Sequence, residues 1–282
     1  MTARDHVPLR SRASSRSASS ITSYAHRLTK RDFKILIELY EHRVLTTPQL
    51  YELHFDTHTR ASKCMLQLYR LGLVERFRPH TPTGSAPWHY TLDEPGARLV
   101  AARQEIDFKD FTFKKARIFD VVGSPRLRHR IECNGFFARL TLACRRRGWK
   151  LEWTGERRAA ARWYEHITPD GIGRIISGGR EISFFLEYDR GTENHGQLEN
   201  KIERYRIVGR TAVRPDALLF VFPSQNRERQ ARRALIGAGF TVATAVRHPA
   251  LRDPLGPVWL PLGDDQRFPI LDLPLKPRDD SG

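Results

Sequence analysis

Cysteine is scarce in this chain. There are three, Cys64, Cys133 and Cys144, an odd number without paired spacing. This argues against a disulfide framework or a zinc site and fits buried thiols in a reducing cytosol. No apolar run is long enough to span a bilayer, and no signal-peptide pattern of charge, apolar stretch and cleavage site is seen. A cytoplasmic location without a membrane partner is expected. No phosphate-cradling Walker loop is present, which leaves ATP-driven action unsupported. No tyrosine with three clustered histidines is recognisable, so a self-sufficient relaxase is not expected.

Acids are also in short supply. Against 48 Lys and Arg stand 32 Asp and Glu, a formal charge of +16. Such an excess favours polyanionic partners, DNA first among them. The 40% apolar content suffices for a core, and 282 residues allow one large domain or two small ones. Residues 1–26 are rich in Ser and Arg with few large apolar side chains. They cannot offset the entropy of ordering and read as a disordered basic arm. The arm either lies along DNA or acts as a solubilising tail. Residues 264–282, rich in Pro and Asp, read as a loose C-terminal tail. Between these ends the pattern gives one domain over 27–105, a linker over 106–124 and a second domain over 125–263.

The first domain opens with a helical pattern carrying Phe33, Ile35, Leu36, Ile37, Leu39 and Tyr40 on a broad apolar face. Thr29 is its expected cap, with Asp32 three residues on. A short helix over 46–53 follows, with Thr47 as expected cap and Pro48 at the first helical position. A third helix spans about 57–71, its apolar face formed by Ala61, Met65, Leu68, Tyr69 and Leu71, and Gly72 ends it. Residues 73–77 and 88–92 read as two strands around a Pro/Gly/Thr loop. Three helices and a hairpin in this order resemble the winged helix-turn-helix. That resemblance implies that the third helix enters the major groove by its N-terminal end. His58, Thr59, Arg60, Ser62 and Lys63 would face DNA, and Arg76, Arg78 and His80 would lie on the wing. A winged helix serving only protein interaction is the alternative.

The second domain reads as α-β-β-β-α-β-α-β, a mixed sheet covered by helices. A long helix over 126–147 is closed by Gly148. Strands follow over 149–153 and 174–176, the second forming a hairpin with 181–189 through Gly178-Gly179. A helix spans 198–208. Ala217 to Phe222 is a continuous apolar run, as in a central strand buried on both faces. A helix over 227–237 and a strand over 241–246 complete the order.

Within this domain a set of acids stands out against the basic background. Strand alternation puts Glu187 and Asp189 on one face, about 6.6 Å apart. Asp170 enters at the start of the neighbouring arm and can meet them. Three converging carboxylates suit Mg²⁺ or Mn²⁺ held against a phosphate backbone. Lys201 on the following helix would neutralise charge on the transferring phosphate. Each residue also has a plainer role. Asp170 before Gly171 suits a turn, Asp189-Arg190-Gly191 suits a strand end with a local ion pair, and Lys201 suits a salt bridge. Glu187 is harder to dismiss. A carboxylate after Phe184-Phe185-Leu186 in a core strand is costly unless paired or metal-bound.

Pro169-Asp170 and Glu187 resemble the PD-(D/E)xK nuclease superfamily, which implies a restriction-endonuclease-like mixed α/β fold. The lysine expected two residues after the second acid is replaced by Asp189, and Lys201 is placed to substitute for it from the helix. A wider resemblance rests on a basic winged helix followed by His129-Arg130-Ile131-Glu132-Cys133-Asn134, then Leu186 to Glu193, then Lys201-Ile202-Glu203-Arg204-Tyr205. These segments are similar to the replication-relaxation family of actinobacterial plasmids and integrative elements. The expected fold class is α+β. The resemblance implies a DNA-binding protein acting in replication, relaxation or transfer of a mobile element, with relaxosome or replication proteins as partners. An active Mg-dependent endonuclease or nickase using Asp170, Glu187, Asp189 and Lys201, and a winged-helix transcriptional regulator, are the alternatives. The oligomeric state is not legible.

Overall fold

Local capping chemistry sets the start of each N-terminal helix. Thr29 and Asp32 cap α1 (Lys30–His42) reciprocally: the Asp32 amide donates to Thr29 Oγ1 at 3.2 Å, and the Thr29 amide donates to Asp32 Oδ2 at 2.8 Å. The same device opens α2 (Thr47–His54), where it uses Thr46 and Gln49. The expected cap, Thr47, is instead the first helical residue. Thr57 caps α3 (His58–Arg70). Gly72, at φ +72°, turns the chain out of α3 through the left-handed region that favours glycine.

The computed structural model describes residues 27–79, 84–113, 124, 126–156, 158–159, 167–209, 214–236 and 239–277. The expected N-terminal arm, His80 and most of the expected linker lie outside them. The chain divides into two compact units, 1–131 and 132–282.

In the first unit the three helices bury Ile35, Leu36, Leu39, Leu50, Ala61, Met65 and Leu68. Strands β2 (Val74–Phe77) and β3 (His89–Leu92) pair antiparallel, with Val74 opposite Leu92 and Phe77 opposite His89. A two-residue strand, β1 (Leu45–Thr46), joins the far side of β3, giving the order β1-β3-β2. Helix α4 (Glu94–Arg103) then packs back, and Gly96 permits a close approach: a Cβ there would lie 2.1 Å from the Leu73 carbonyl oxygen. Neither β1 nor α4 is expected from the sequence pattern.

The second unit takes its core from α5 (Leu127–Arg146), which starts just before the division between the units. Its sheet runs β4 (Lys150–Gly155), β5 (Gly171–Ser177), β6 (Arg180–Tyr188), β7 (Ala217–Phe222), β8 (Thr241–Val246) and β9 (Leu260–Pro261), hydrogen-bonded in that order. β4, β5 and β6 are antiparallel, and β6, β7 and β8 are parallel. Parallel neighbours need crossovers. Helices α6 (His195–Gly209) and α7 (Gln225–Arg232) provide them, and α8 (Arg247–Arg252) follows β8.

Alternation along the strands divides the core into two layers. Phe184, Leu186 and Tyr188 of β6 and Leu219 and Val221 of β7 pack with Phe136, Phe137 and Leu140 of α5 and with Ala250 of α8. Phe185, Leu218, Phe220 and Phe222 pack with Leu198, Ile202 and Tyr205 of α6 and Ala231 of α7. β7 is buried throughout, as its continuous apolar run predicts. On β5, Gly173 leaves room for the Phe184 ring, which lies where a Cβ would be, at 2.2 Å.

The C-terminal region corrects one expectation. Within the expected tail, the segment 267–273 is packed on the second unit rather than loose, while 274–277 are exposed. Phe268 bridges to Trp259, and Ile270 and Leu273 are buried in the α5-side layer. Arg267 also ion-pairs with the buried Glu228 at 2.6 Å. The apolar positions Phe268, Ile270, Leu271 and Leu273 carry this packing despite the prolines around them. The molecule is of mixed α+β class with two sheets, and no described helix is long and apolar enough to cross a membrane.

Candidate functional site

The β5–β6 ladder ends with Gly171 opposite Leu186. Beyond it the pairing stops. The Asp170 amide donates to the Leu186 carbonyl at 3.1 Å, and the Tyr188 amide donates to Asp170 Oδ2 at 2.8 Å. Asp170 lies near enough to Glu187 to raise its carboxyl. Two of the sequence-predicted acids are therefore close enough to interact.

Glu187 is 4% exposed and faces α6. Lys201 and Tyr205 are four residues apart on that helix and so share one face. Lys201 Nζ donates to Glu187 Oε2 at 2.9 Å and to Glu193 Oε1 at 2.8 Å. The Tyr205 hydroxyl donates to the other Glu187 oxygen. Burial pushes the Glu187 carboxyl up to about 7; Lys201 opposes this and Asp170 adds to it. Burial works to lower Lys201, but Glu187 and Glu193 more than reverse it and the net shift is upward. Burial, then Glu187, drives Tyr205 well above its ordinary range. The result is a carboxyl titrating near neutrality with an ammonium fixed against it, able to hold or release a proton. It lines a cleft of about 350 Å³ with Thr168, Gln197, Asn200, Lys201 and Arg204.

Asp189 is held differently. Its amide continues the parallel ladder to the Val221 carbonyl at 2.9 Å. Its carboxylate receives Arg227 Nη2 at 2.7 Å, Arg227 Nε at 3.4 Å and the Gly191 amide. Arg227 also donates to the Glu193 carbonyl oxygen at 2.6 Å. Asp189 thus ties the end of β6 to α7. Arg190 turns towards Glu132, at 3.8 Å.

A divalent ion takes several open oxygen ligands. Both oxygens of Glu187 already accept from Lys201 and Tyr205, and both of Asp189 from Arg227 and Gly191. Held in this way, the set does not fit a three-carboxylate metal site. Sequence reasoning missed Glu193, Tyr205 and Arg227. Tyr205 was recoverable from its helical spacing to Lys201; Arg227, 38 residues from Asp189, left no local signal.

In the first unit His58, Thr59, Arg60, Ser62 and Lys63 are all exposed. His58 stacks on Tyr51 at 3.9 Å, and Arg60 lies 3.5 Å from Asp56. Arg76 lies over the rings of Tyr69 at 4.3 Å and Trp88 at 4.1 Å. Arg78 also lies over Trp88, at 4.1 Å, and donates to Ser85 Oγ at 2.8 Å.

A family model described as Replication-relaxation matches residues 36–218, from α1 to the start of β7. The match includes the face of α3 and the Asp170, Glu187, Glu193, Lys201 and Tyr205 cluster. Comparison with curated proteins and with solved structures gives no match. With the family match spanning more than half of its length, the chain belongs to the replication-relaxation family.

Proposed function

We propose that this chain is a DNA-binding protein of a plasmid or integrative element, acting in replication, relaxation or transfer alongside relaxosome or replication proteins. In this reading the first unit is a winged helix that docks on DNA, and the second is a PD-(D/E)xK-like scaffold. The observation that carries it is the outer face of α3. His58, Thr59, Arg60, Ser62, Lys63, Gln67 and Arg70 are exposed there, and the helix from His58 to Arg70 contains no carboxylate. A helix carrying cations and small polar groups towards its N-terminal end suits a major groove lined by phosphates. The test is a gel-shift titration of the full chain on duplex DNA, with and without EDTA. Metal-independent shifts without cleavage support an accessory binder; no shift at low salt removes the reading.

A second reading, a metal-dependent endonuclease using Asp170, Glu187, Asp189 and Lys201, has one observation in its favour. Asp170 lies near enough to Glu187 to raise its carboxyl, and Glu193 Oε2 is buried nearby without a hydrogen-bond partner among the described residues. It requires Lys201 to release Glu187 before Mg²⁺ or Mn²⁺ binds. Supercoiled plasmid relaxed by the chain only with Mg²⁺ or Mn²⁺ would favour it over the accessory binder.

A further inference from the structure

The Glu187 cleft carries a second set of side chains beside its ion pair. Lys201 and Tyr205 of α6 are committed to Glu187 and Glu193. Gln197, Asn200 and Arg204, at three- and four-residue spacing, form the adjoining stripe of the helix. All three are exposed and line the cleft of about 350 Å³. Thr168, on the chain leading into β5, is exposed and lines it too. Among the described residues, the side chains of Asn200, Arg204 and Thr168 have no hydrogen-bond or ion-pair partner. Gln197 Oε1 accepts from the Asn194 amide at 2.8 Å, which leaves its NH₂ group open.

Arg204 differs in this from other arginines of the second unit. Arg174 closes on Glu181 at 2.6 Å, Arg180 on Asp272 at 2.7 Å, Arg227 on Asp189 at 2.7 Å and Arg267 on Glu228 at 2.6 Å. The acids beside Arg204 on α6 are already engaged: Glu199 lies 3.2 Å from His195, and Glu203 lies 2.5 Å from Arg206. Lys201 is neutralised between two carboxylates. Arg204 is therefore the cation that the cleft lining leaves for a ligand, and a guanidinium suits a phosphate. One turn away, about 6 Å along the helix axis, Asn200 offers an amide donor and acceptor side by side. Amides add little to holding an anion. They match a ligand edge that carries donor next to acceptor, as a nucleobase does.

Inside a duplex such an edge is turned to its pairing partner, and a closed cleft reaches it only when the nucleotide leaves the stack. The one ring among the lining residues, Tyr205, is buried, so the cleft offers no platform for a run of stacked bases. We infer that the α6 cleft takes a single unpaired nucleotide of DNA, its phosphate on Arg204 and its base edge on Asn200 and Gln197. The inference rests on the DNA-binding reading above and names what the second unit contributes to it.

The test uses the full chain and fluorescence anisotropy with three labelled probes of one sequence. They are a perfect duplex, a duplex with one extrahelical nucleotide, and the same bulge made abasic. Wild type should bind the base-bearing bulge about tenfold more tightly than the abasic one, the scale of a good base contact. Asn200→Ala should remove that difference. Arg204→Ala should weaken both bulged probes alike, and Arg204→Lys should restore part of the loss. Both side chains are exposed, and affinity for the perfect duplex should stay as in wild type. Equal wild-type affinity for the two bulges overturns the inference, as does an Asn200→Ala loss shared by the perfect duplex. Calorimetric titration with free deoxynucleoside monophosphates separates the other source of the same chemistry. Heat that Arg204→Ala abolishes, while all three probes bind alike, assigns the cleft to a free nucleotide and overturns the inference. A wild-type chain that binds none of the probes removes the DNA-binding reading as well. Equal affinity for all three, weakened only by Arg60→Ala/Lys63→Ala, removes this inference alone.

Discussion

Lys201 Nζ lies 2.9 Å from Glu187 Oε2, so a lysine on the crossover helix neutralises an acid on the central sheet. The same ammonium reaches Glu193 at 2.8 Å. One cation thus serves two carboxylates, with Asp170 as a third acid close by.

Stability should fall as pH rises through neutrality. The folded pKa of Glu187, about 7, lies above its ordinary 4.5. Its contribution is therefore fully present below about 4.5 and lost as pH rises through about 7. The shift corresponds to about 3 kcal/mol. Lys201 is shifted upward, so its own contribution falls away only in alkaline solution. Urea melts at pH 5, 6, 7 and 8 should show the decline in wild type and a much flatter profile in Glu187→Gln. Equal stability of wild type at pH 5 and pH 8 would contradict the assignment.

Removing Lys201 should hurt most where its acids are ionised. Lys201→Ala leaves Glu187 and Glu193 near Asp170 without their shared cation. The destabilisation should be larger at pH 8 than at pH 5, where Glu187 holds a proton. A loss independent of pH would mean that Lys201 contributes by packing its stem.

Arg227→Ala should be among the most damaging single substitutions in the second unit. The Asp189 side chain is 2% exposed, and Arg227 is its ion-pair partner. Breaking one side of a buried pair costs about 3–5 kcal/mol. Thermal and urea denaturation would measure the loss. A change below about 1 kcal/mol would show that Asp189 finds other donors.

Trp88 should act through Arg76 and Arg78. Trp88→Ala removes the ring beneath both guanidinium groups while leaving their charge. Arginine stacked on an aromatic ring is held in place, with its N–H edge free for phosphate. DNA affinity should fall several-fold with little change in melting temperature. Unchanged affinity would place the wing off the DNA.

Ile270→Ala should destabilise the second unit by about 3 kcal/mol, the usual cost of emptying a well-packed site. Ile270 is fully buried beside Trp259 in the α5-side layer. A mild effect would mean that the C-terminal segment is not integral to the core.

Where one element's own residues decided the outcome, the sequence was readable. The cap at Thr29, the glycine turn between β5 and β6 and the all-apolar β7 all act within a few residues. The nearness of Asp170 to Glu187 follows from the hairpin that the glycine turn closes. Readability failed where partners are distant. Arg227 on Asp189 and Arg267 on Glu228 join segments separated by 38 and 39 residues, and nothing near either acid announces the partner. The C-terminal segment misled for a compositional reason: its prolines suggest a tail, while four apolar side chains spaced among them fill a groove in the core.

The crossover connections also order events during folding. The β5–β6 hairpin closes through a two-residue turn and can form early, since short loops cost little entropy to close. It already brings Asp170 near Glu187. The β6–β7 pairing, from Phe184 to Ala217, must wait for α6 to dock. Until then the Glu187 carboxyl is hydrated, ionised and unopposed by Lys201. Docking of α6 is therefore the step at which this acid loses its water and gains its cation. Folding of the second unit should be coupled to proton uptake, with a refolding rate that slows as the solution becomes more alkaline.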